Sequence, residues 1–336
     1  MKKIVLTIMV CIAIFTGLPS LAETAYELPN NFTILSEALQ MDCIYGLEEY
    51  TVTHRNLQEN YGPEDFTNSE VQSCEKLDST YNSIENYVSY VYTNGSRLIL
   101  PNTVSLIYGN TDREKYEQLI LFFNNTNYPD TPNNLSFQTR DDAITFCTNI
   151  LGKLGIEDLS VDRVIALDVE TICNQTETML SFYGSDKLQY FHNVDISDEA
   201  YYIAFRHFWD GVGMIGDPQA EFIINSNGIC SLKLYHIVET VCESALVSDI
   251  YPIEKALQLF VDQHSQQKSD LDLYTITNVR SVYYPIYDDK LYPPAVRYVP
   301  CWYISGTCEY HFGNKVKKVD VSCLYSMKDG THYIEQ

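Results

Sequence analysis

The sequence predicts an α+β protein whose antiparallel sheets are each packed by a helix, and three observations support this class. Two amphipathic helix patterns lie in the C-terminal two-thirds of the chain, and strand-like apolar runs follow each of them. An Asn-Gly turn, Asn227-Gly228, joins two of these runs as a hairpin. Because the order of a helix and then antiparallel strands occurs twice, we expect an internal duplication of one α+β unit.

The chain begins with a pattern typical of a secretory signal peptide, residues 1–22. Met1-Lys2-Lys3 is basic, Ile4–Leu18 is apolar, and Ser20-Leu21-Ala22 offers small residues for cleavage after Ala22. The apolar run is shorter than the roughly 20 residues that span a bilayer. We therefore expect a secreted or extracytoplasmic protein with no integral membrane segment after signal removal.

The charge balance is strongly acidic, with 22 Lys and Arg residues against 45 Asp and Glu residues and a formal net charge of -23. Loss of Lys2 and Lys3 with the signal peptide makes the mature chain more negative still. A surface of this sign repels a phosphate backbone, which argues against a nucleic-acid partner. It favours a basic or neutral protein or peptide partner.

Residues 23–134 are expected to form an N-terminal α+β region. Strand-like runs lie at Tyr87–Thr93 and Arg97–Leu100, and a helix pattern covers Asp112–Phe123. The stretch Asn124–Asn134 then crowds Asn, Pro, Asp and Thr together as a linker does, so we place a domain boundary there.

Residues 135–247 are expected to form the first α+β unit of the duplication. Thr139 can cap a helix with Asp141 and Asp142 in its first turn, and this helix should end at Gly155. Its apolar face repeats at three-and-four spacing through Ala143, Ile144, Cys147, Ile150, Leu151 and Leu154. Strands are predicted at Val161–Val169, Met179–Tyr183, Ala200–Phe208, Glu221–Asn225 and Ile229–His236.

Residues 248–336 are expected to form the second unit. Ser248 or Asp249 can cap its helix and Pro252 lies in the first turn. The apolar face of that helix consists of Ile253, Ala256, Leu257, Phe260 and Val261. Strands are predicted at Tyr274–Tyr287, Val296–Ile304 and Val316–Tyr325.

Three stretches of these units carry a resemblance to a known family. They are the helix region from Leu135-Ser136-Phe137 through Arg140-Asp141-Asp142-Ala143 to Leu154-Gly155-Ile156, the turn Asn227-Gly228-Ile229, and the strand Tyr298-Val299-Pro300-Cys301-Trp302-Tyr303. Together they resemble an uncharacterised family of secreted proteins and lipoproteins of gut Firmicutes. The resemblance implies two PepSY-like units, similar in layout to the YycH and YycI regulators that contact a sensor kinase outside the membrane. The chain departs from that family by lacking the lipobox Cys and by its looser turn Met327-Lys328-Asp329-Gly330.

The cysteine pattern does not predict a disulfide framework. The chain has 10 Cys, and one of them, Cys11, lies in the predicted signal peptide, which leaves an odd number in the mature chain. No CxxC pair occurs, so neither zinc-ligand nor thioredoxin-like spacing is present. We interpret these residues mainly as small buried side chains, with one or two incidental bridges as the alternative.

Each motif that could carry chemistry has a plainer interpretation. Gly211-Val212-Gly213-Met214-Ile215-Gly216 fits GxGxxG, but Asp217-Pro218 follows where a dinucleotide site needs a helix, which favours a turn between strands and no cofactor. The acidic pairs Glu48-Glu49, Asp141-Asp142 and Asp288-Asp289 point apart on a helix or strand and are interpreted as solvated faces, caps or turns. No HExxH or GxSxG occurs, and Cys308 and His311 are three residues apart on a strand or turn. The sequence therefore predicts no catalytic, cofactor-binding or metal-binding residue.

Tyrosine is the unusual feature of the composition, with 27 residues. Many lie on predicted strands: Tyr201, Tyr202, Tyr283, Tyr284, Tyr287, Tyr292, Tyr298, Tyr303 and Tyr310. They can form aromatic pairs within the core, or they can face solvent as a binding surface, because Tyr supplies contact area at little cost in entropy. Trp302 among them is expected in the core.

Two functions follow from these features. The first is an extracytoplasmic, non-catalytic binding or regulatory protein whose ligand is a peptide or protein. The alternative is a secreted hydrolase with a carboxylate or Ser/His site assembled from distant parts of the chain. A flat or grooved sheet face with exposed Tyr favours the first, and a deep pocket with convergent carboxylates favours the second.

Overall fold

The structure, a computed structural model, describes residues 29–35, 38–40, 46–77, 87–126, 130–183, 193–265, 272–288, 295–312 and 315–333. The predicted signal peptide, residues 1–22, lies outside these ranges. The described chain is α+β, with two mostly antiparallel sheets and few helices. The predicted fold class is confirmed at this level.

The first sheet has eight strands and is built around three long antiparallel strands near the C-terminus. Its strands are β1 (Phe32–Ile34), β2 (Leu39–Gln40), β3 (Glu48–His54), β13 (Val238–Leu246), β14 (Leu273–Asp288), β15 (Ala295–Phe312), β16 (Lys315–Ser326) and β17 (His332–Tyr333). β14, β15 and β16 pair in sequence order, β1 and β2 add in parallel along β14, and β3 joins β13 to β15.

The second sheet has nine strands in the order β10-β9-β11-β12-β7-β6-β5-β4, and β8 pairs with β9 as well. Its strands are β4 (Val71–Leu77), β5 (Tyr87–Tyr92), β6 (Arg97–Asn102), β7 (Ser105–Gly109), β8 (Leu159–Leu167), β9 (Ala200–Trp209), β10 (Val212–Gly213), β11 (Ala220–Asn225) and β12 (Gly228–Tyr235). The Asn227-Gly228 turn between β11 and β12 is confirmed, with Gly228 at a φ of +104°.

Helices cover these sheets unequally. Within the described ranges they are α1 (Leu57–Asn60), α2 (Arg113–Thr126), α3 (Arg140–Lys153), α4 (Val169–Tyr183) and α5 (Ile253–Ser265), with single 3₁₀ turns at Pro63–Asp65 and Ile196–Asp198. α3 packs on one face of the nine-stranded sheet, and α2 with α4 packs on the other. α5 packs on one face of the eight-stranded sheet. Among the described residues, no helix contributes to the apolar cluster on its opposite face.

The two predicted amphipathic helices are confirmed. The predicted start of the second was wrong, because α5 begins at Ile253, so neither Ser248 nor Asp249 caps it and Pro252 directly precedes it. Local chemistry explains the ends of α3. The Thr139 hydroxyl accepts a hydrogen bond from the Asp142 N–H at the start of α3. The helix stops before Gly155, whose φ of +67° is a conformation that glycine adopts at little cost. The predicted faces are the buried ones: Ala143, Cys147 and Leu151 on α3, and Ala256, Leu257, Phe260 and Val261 on α5.

The prediction of a strand at Met179–Tyr183 was wrong, because these residues form the last turns of α4. The helix begins after Asp168, whose carboxylate accepts a hydrogen bond from the Thr171 N–H at 2.7 Å. The Ile172 N–H bonds to the Asp168 carbonyl and closes the first turn. The periodicity of a short apolar run does not distinguish a strand from a buried segment of a helix. Here the Asp168 cap favours the helix.

Both sheets draw strands from more than one of the predicted regions 23–134, 135–247 and 248–336. β4 to β7 come from the N-terminal region, yet they share a sheet with β8 to β12. β3 and β13 join the sheet of the C-terminal strands. The pairing of the described strands therefore does not confirm the expected tandem duplication.

Candidate functional site

The glycine-rich segment that resembled a dinucleotide motif lies where the two sheets meet. Asp210 and Gly211, at φ values of 53° and 80°, form a two-residue turn between β9 and β10. Met214 then forms a parallel bridge with Tyr283 of β14, and the Ile215 N–H donates to the Tyr283 carbonyl at 2.9 Å. The segment is a turn between strands, as the sequence favoured, and it ties one sheet to the other.

Arg206 of β9 fixes the loop that follows. Its Nη1 donates to the carbonyl oxygens of Met214 and Gly216, at 2.6 and 2.9 Å. Its Nη2 lies 3.2 Å from a carboxylate oxygen of Asp162. Asp162 lies at a bulge in β8, where one extra residue interrupts the pairing with β9. Arg206 therefore holds the loop in place against β8 and β9.

This loop forms one wall of a cavity of about 560 Å³ between the sheets. The nine-stranded sheet contributes Arg163 and Arg206 to the lining, and the eight-stranded sheet contributes Arg280 and Tyr303. The volume is within the range of small-ligand sites, roughly 300–1,000 Å³. Three arginines thus contribute to the lining of one cavity in a chain whose net charge is -23.

A second feature adjoins this cavity on the face of the eight-stranded sheet opposite α5. Its centre is a buried apolar cluster of Val282, Val299, Cys301 and Leu324, and around it lie the partly buried side chains of Ile215, Tyr284, Ile286, Tyr303 and Tyr333. We call this surface the tyrosine-rimmed face. The rings of Tyr284 and Tyr333 stack at 5.2 Å. Arg280 stands beside Tyr303 on the next strand, with its guanidinium carbon 5.6 Å from the ring centre.

Of the two interpretations of the strand tyrosines, burial in the core is confirmed for four of them. Tyr201, Tyr202, Tyr283 and Tyr298 are at most 1% exposed and belong to the core. Tyr284, Tyr303 and Tyr310 are partly buried, and Tyr287 is 51% exposed. Tyr292 lies outside the described residues. Buried tyrosines bring large apolar area into a core, and their hydroxyls find partners, which is why the residue is common on these strands.

An aromatic and histidine cluster holds the two sheets together near the Asp210 turn. The Trp209 ring packs against Tyr50, Tyr283 and Tyr298 at centroid distances of 4.9, 5.3 and 4.7 Å. Nε2 of His54 lies 3.1 Å from the Tyr298 hydroxyl, and the His54 ring is 4.9 Å from that of His236. Burial and, secondarily, His236 lower the pKa of His54 to about 3, so the ring is neutral at physiological pH.

Asp210 and His236 share a second property. They are the non-glycine residues of the described chain with positive φ, at 53° and 49°. Such backbone is uncommon for residues other than glycine, although Asp and His adopt it more readily than most. Both lie in turns at the junction of the sheets, and the surrounding contacts keep them there.

The structure does not bring the remaining predicted candidates together as a reactive site. Cys308 is buried in the core under α5, and the His311 N–H lies near the Asp272 carboxylate at 3.4 Å. A different pair is closer: Sγ of Cys323 lies 3.7 Å from Nε2 of His264. Burial raises the pKa of the Cys323 thiol, however, which disfavours the thiolate that a nucleophile requires.

The acidic pairs and the cysteines agree with the expectation in part, because the Glu49 side chain is 13% exposed and ion-paired rather than solvated. Asp142 belongs to the cap of α3, Asp141 points to solvent, and Glu49 pairs with Lys328 at 3.3 Å. Asp289 lies outside the described residues, as does Cys43. Five of the eight described cysteines are buried. Within the described residues, no three His, Cys, Asp or Glu side chains are grouped to hold a metal ion.

The sequence analysis did not single out Arg163, Arg206 or Arg280. Each is a charged residue on a strand whose neighbours are largely apolar, in a chain with only 22 basic residues. An Arg at such a position is the signal that could have identified them. No described helix is both long and apolar enough to cross a bilayer.

Comparison with known proteins gives a match of fold. No family model matches the sequence, and no curated protein is significantly similar to it. The structure is similar to the crystal structure of an uncharacterised protein from Eubacterium rectale ATCC 33656, with a TM-score of 0.56 and 13% sequence identity over 92% of each chain. At this identity the likeness concerns the fold alone.

Proposed function

We propose that this protein is an extracytoplasmic, non-catalytic binding protein that holds an acidic polypeptide segment against its tyrosine-rimmed face. The observation that carries the proposal is the construction of that face. An apolar centre is surrounded by the partly buried rings of Tyr284, Tyr303 and Tyr333, and no described helix contributes to it. Interfaces are enriched in aromatic anchors of this kind, which bury area at low entropic cost.

Charge selects the class of ligand. Arg280 and Arg297 are exposed and lie at positions of β14 and β15 that share a face with Val282 and Val299. Neither forms an ion pair within the described part of the chain. Glu49 and Lys328, close to the same face, pair with each other. The net negative charge of the chain predicts a basic or neutral partner, but the local charge at this surface favours acidic side chains.

The location and the absence of catalysis are parts of the same proposal. The signal-peptide pattern of residues 1–22 supports a place outside the cytoplasm. The resemblance of residues 135–336 to PepSY-like regulators supports a binding or regulatory role. The hydrolase alternative has weaker support, because Asp130 and Asp162 at the cavity are engaged by Arg140 and Arg206, at 2.8 and 3.2 Å.

The experiment is a selection from a displayed library of random peptides on the purified mature chain. Peptides that carry Asp or Glu beside apolar residues should be enriched, and Tyr284→Ser should weaken their binding about tenfold or more. Tyr310→Ser is the matched control, because Tyr310 is also partly buried but packs with the core on the α5 side. Both variants should be shown to be folded by circular dichroism.

Three outcomes would reject the proposal. They are a library without enrichment, peptides that bind both variants as tightly as the parent, and enrichment of basic peptides. Recovered peptides should also remain intact after prolonged incubation, as measured by mass spectrometry. Cleavage that disappears with Asp162→Asn would instead support the hydrolase.

A further inference from the structure

We propose that the tyrosine-rimmed face binds its ligand as an extended strand in which two acidic residues lie six positions apart, one meeting Arg280 and the other Arg297. This inference rests on the proposed function and deepens it. It adds the conformation of the bound segment, its direction on the sheet and the spacing of its acidic side chains.

The two arginines lie at opposite ends of the face. β14 and β15 are antiparallel, and residues two apart on a strand point to the same side of the sheet. Four opposite pairs therefore share this face, in the order Arg280 with Tyr303, Val282 with Cys301, Tyr284 with Val299, and Ile286 with Arg297. Two largely apolar rows thus lie between one arginine row at each end.

The distance between the arginines follows from this register. Arg280 and Ile286 are six residues apart on β14, which is about 20 Å at roughly 3.3 Å per residue, and Arg297 lies opposite Ile286. An extended ligand covers the same distance in six residues and turns its first and seventh side chains to the same side. A helical ligand would need about 13 residues, because a helix rises only about 1.5 Å per residue.

The flanks of the face favour a segment that runs along the strands. On one flank the Ile215 N–H donates to a carbonyl of β14 at 2.9 Å, and the Ile215 side chain packs against the apolar centre. On the other flank Tyr333 of β17 packs against the same centre and stacks on Tyr284. These contacts limit the face across the strands, whereas along the strands it extends from Arg280 to Arg297. A segment that follows the strands therefore reaches both arginines.

The carboxylates near Arg297 already have partners. Burial raises the pKa of Tyr333, and the nearby carboxylates of Asp329 and Glu49 raise it further. Arg297 acts in the opposite direction, so it lies beside the same ring. Glu49 pairs with Lys328 at 3.3 Å, and Asp329 accepts from a backbone N–H of its own turn at 2.9 Å. Arg297 is exposed and, within the described ranges, forms no ion pair with either of them.

Arg280 is placed in a similar way at the other end, where the face meets the cavity between the sheets. Asp162 of that cavity is engaged by Arg206 at 3.2 Å. The Arg280 guanidinium carbon lies 5.6 Å from the Tyr303 ring centre. A guanidinium supported on its flat face directs its N–H groups outward from its edge, which is the geometry that binds a carboxylate through two hydrogen bonds.

The charge of the whole chain limits how acidic the ligand can be. A net charge of -23 repels a segment with distributed negative charge, while single carboxylates at the two ends need only the local arginines. The third and fifth residues of the segment then face the apolar rows. The recognised pattern is therefore an acidic residue at the first and seventh positions with apolar residues at the third and fifth.

The test is a displayed library selected on the purified mature chain. Each peptide carries two Asp residues at separations from about three to about sixteen positions, among randomised neutral residues. Peptides with a separation of six and apolar residues at the third and fifth positions should be enriched over all others. The affinities of selected peptides are then measured by fluorescence anisotropy.

Arg280→Gln and Arg297→Gln should each weaken binding of these peptides about tenfold, because each removes one of two charged partners. Replacing one Asp of the peptide by Asn should weaken binding as much, but not in the variant that lacks the arginine it meets. Arg97→Gln is the matched control, since Arg97 is also an exposed strand arginine but lies in β6 of the other sheet. Circular dichroism should show that all three variants are folded.

The inference and the proposed function fail in different ways. Enriched acidic peptides with separations near 13, or with no preferred separation, would overturn the extended strand and leave the proposed function in place. Peptides with the expected spacing that bind Arg280→Gln or Arg297→Gln as tightly as the parent would overturn the assignment of the arginines. A library from which no peptide is enriched rejects the proposed function, and the inference with it.

Discussion

The hydroxyl of Tyr50, in the eight-stranded sheet, donates a 2.8 Å hydrogen bond to the carboxylate of Asp210, in the turn that ends β9 of the nine-stranded sheet. The Tyr283 hydroxyl reaches the same oxygen at 3.3 Å. Burial and then the Asp210 carboxylate raise the pKa values of both phenols, so they remain donors at neutral pH. One carboxylate thus joins the two sheets beside the cavity.

Tyr50→Phe should lower the free energy of unfolding by about 1–2 kcal/mol, because a hydrogen bond to a charged acceptor is lost while the ring remains. Tyr283→Phe should cost less, since its bond is longer. Urea unfolding followed by circular dichroism measures both. Tyr287→Phe is the control, because Tyr287 is 51% exposed. If Tyr50→Phe and Tyr287→Phe have the same free energy of unfolding, the hydrogen bond from Tyr50 to Asp210 does not stabilise the contact between the sheets.

Local signals predicted those parts of the fold that local interactions build. Thr139 and Gly155 mark the ends of α3, and Asn227-Gly228 marks the turn between β11 and β12, and each needs only its sequence neighbours. β13 was missed because its side chains are mostly exposed, so it shows no alternation of apolar and polar residues. Its pairing with β3 is a contact between distant parts of the chain, which no local pattern specifies.

The candidate site was less predictable for the same reason. Arg163, Arg206 and Arg280 stand on three strands, and only the junction of the two sheets brings them to one cavity. The sequence predicts the glycine-rich segment 211–216 as a turn, and the structure confirms this. Its contact with β14 could not be predicted, because that strand lies far along the sequence. The tyrosines were noticed as well. Alternation along a strand, however, does not say which face a helix will cover.

Gly306 of β15 provides a test of backbone packing. It lies opposite Ile276 of β14, next to an irregularity in the pairing between Ile276 and Asn278. A Cβ at this position would overlap the Thr275 carbonyl oxygen and lie 2.8 Å from the Ile276 Cα, and backbone atoms cannot move aside as a side chain can. Gly306→Ala should therefore cost about 3 kcal/mol or more.

The control for that substitution is Gly152→Ala in α3, where a Cβ would meet nothing within 4 Å. Removing a glycine from a helix stabilises it by about 0.5–1 kcal/mol, so the two substitutions should have opposite signs. Urea midpoints give both values. If Gly306→Ala is as stable as the parent, the strands β14 and β15 do not approach each other as closely as described.

His54 should make stability depend on pH in a defined direction. Burial and His236 lower the pKa of His54 to about 3 in the folded chain, against an ordinary value of 6.5 in the unfolded one. The unfolded state then binds the proton more readily, so this contribution is complete above about pH 6.5 and is lost as pH falls toward about 3. The slope for one such group is at most about 1.4 kcal/mol per pH unit.

Urea unfolding at a series of pH values in that window measures the slope. His54→Gln keeps a polar partner for the Tyr298 hydroxyl but cannot take up the proton, so its stability should fall less steeply than that of the parent. Burial also lowers the pKa of His236, and His236→Asn, which tolerates positive φ, should flatten the slope further. Parallel curves for parent and His54→Gln would contradict the assignment.

Trp302 separates the core of the eight-stranded sheet from its binding face. It is 1% exposed, lies on the α5 side of β15, and donates from Nε1 to the Tyr251 carbonyl at 2.8 Å. Trp302→Phe removes that bond, leaves the carbonyl without its partner and opens a small void, so it should cost about 2–3 kcal/mol. Trp209 remains as the single tryptophan, whose fluorescence can follow unfolding in urea. Because Trp302 and the tyrosine-rimmed face lie on opposite sides of the sheet, the folded variant should bind selected peptides as the parent does. A variant that keeps its stability and loses binding would place Trp302 in the binding surface and contradict this assignment of the two faces.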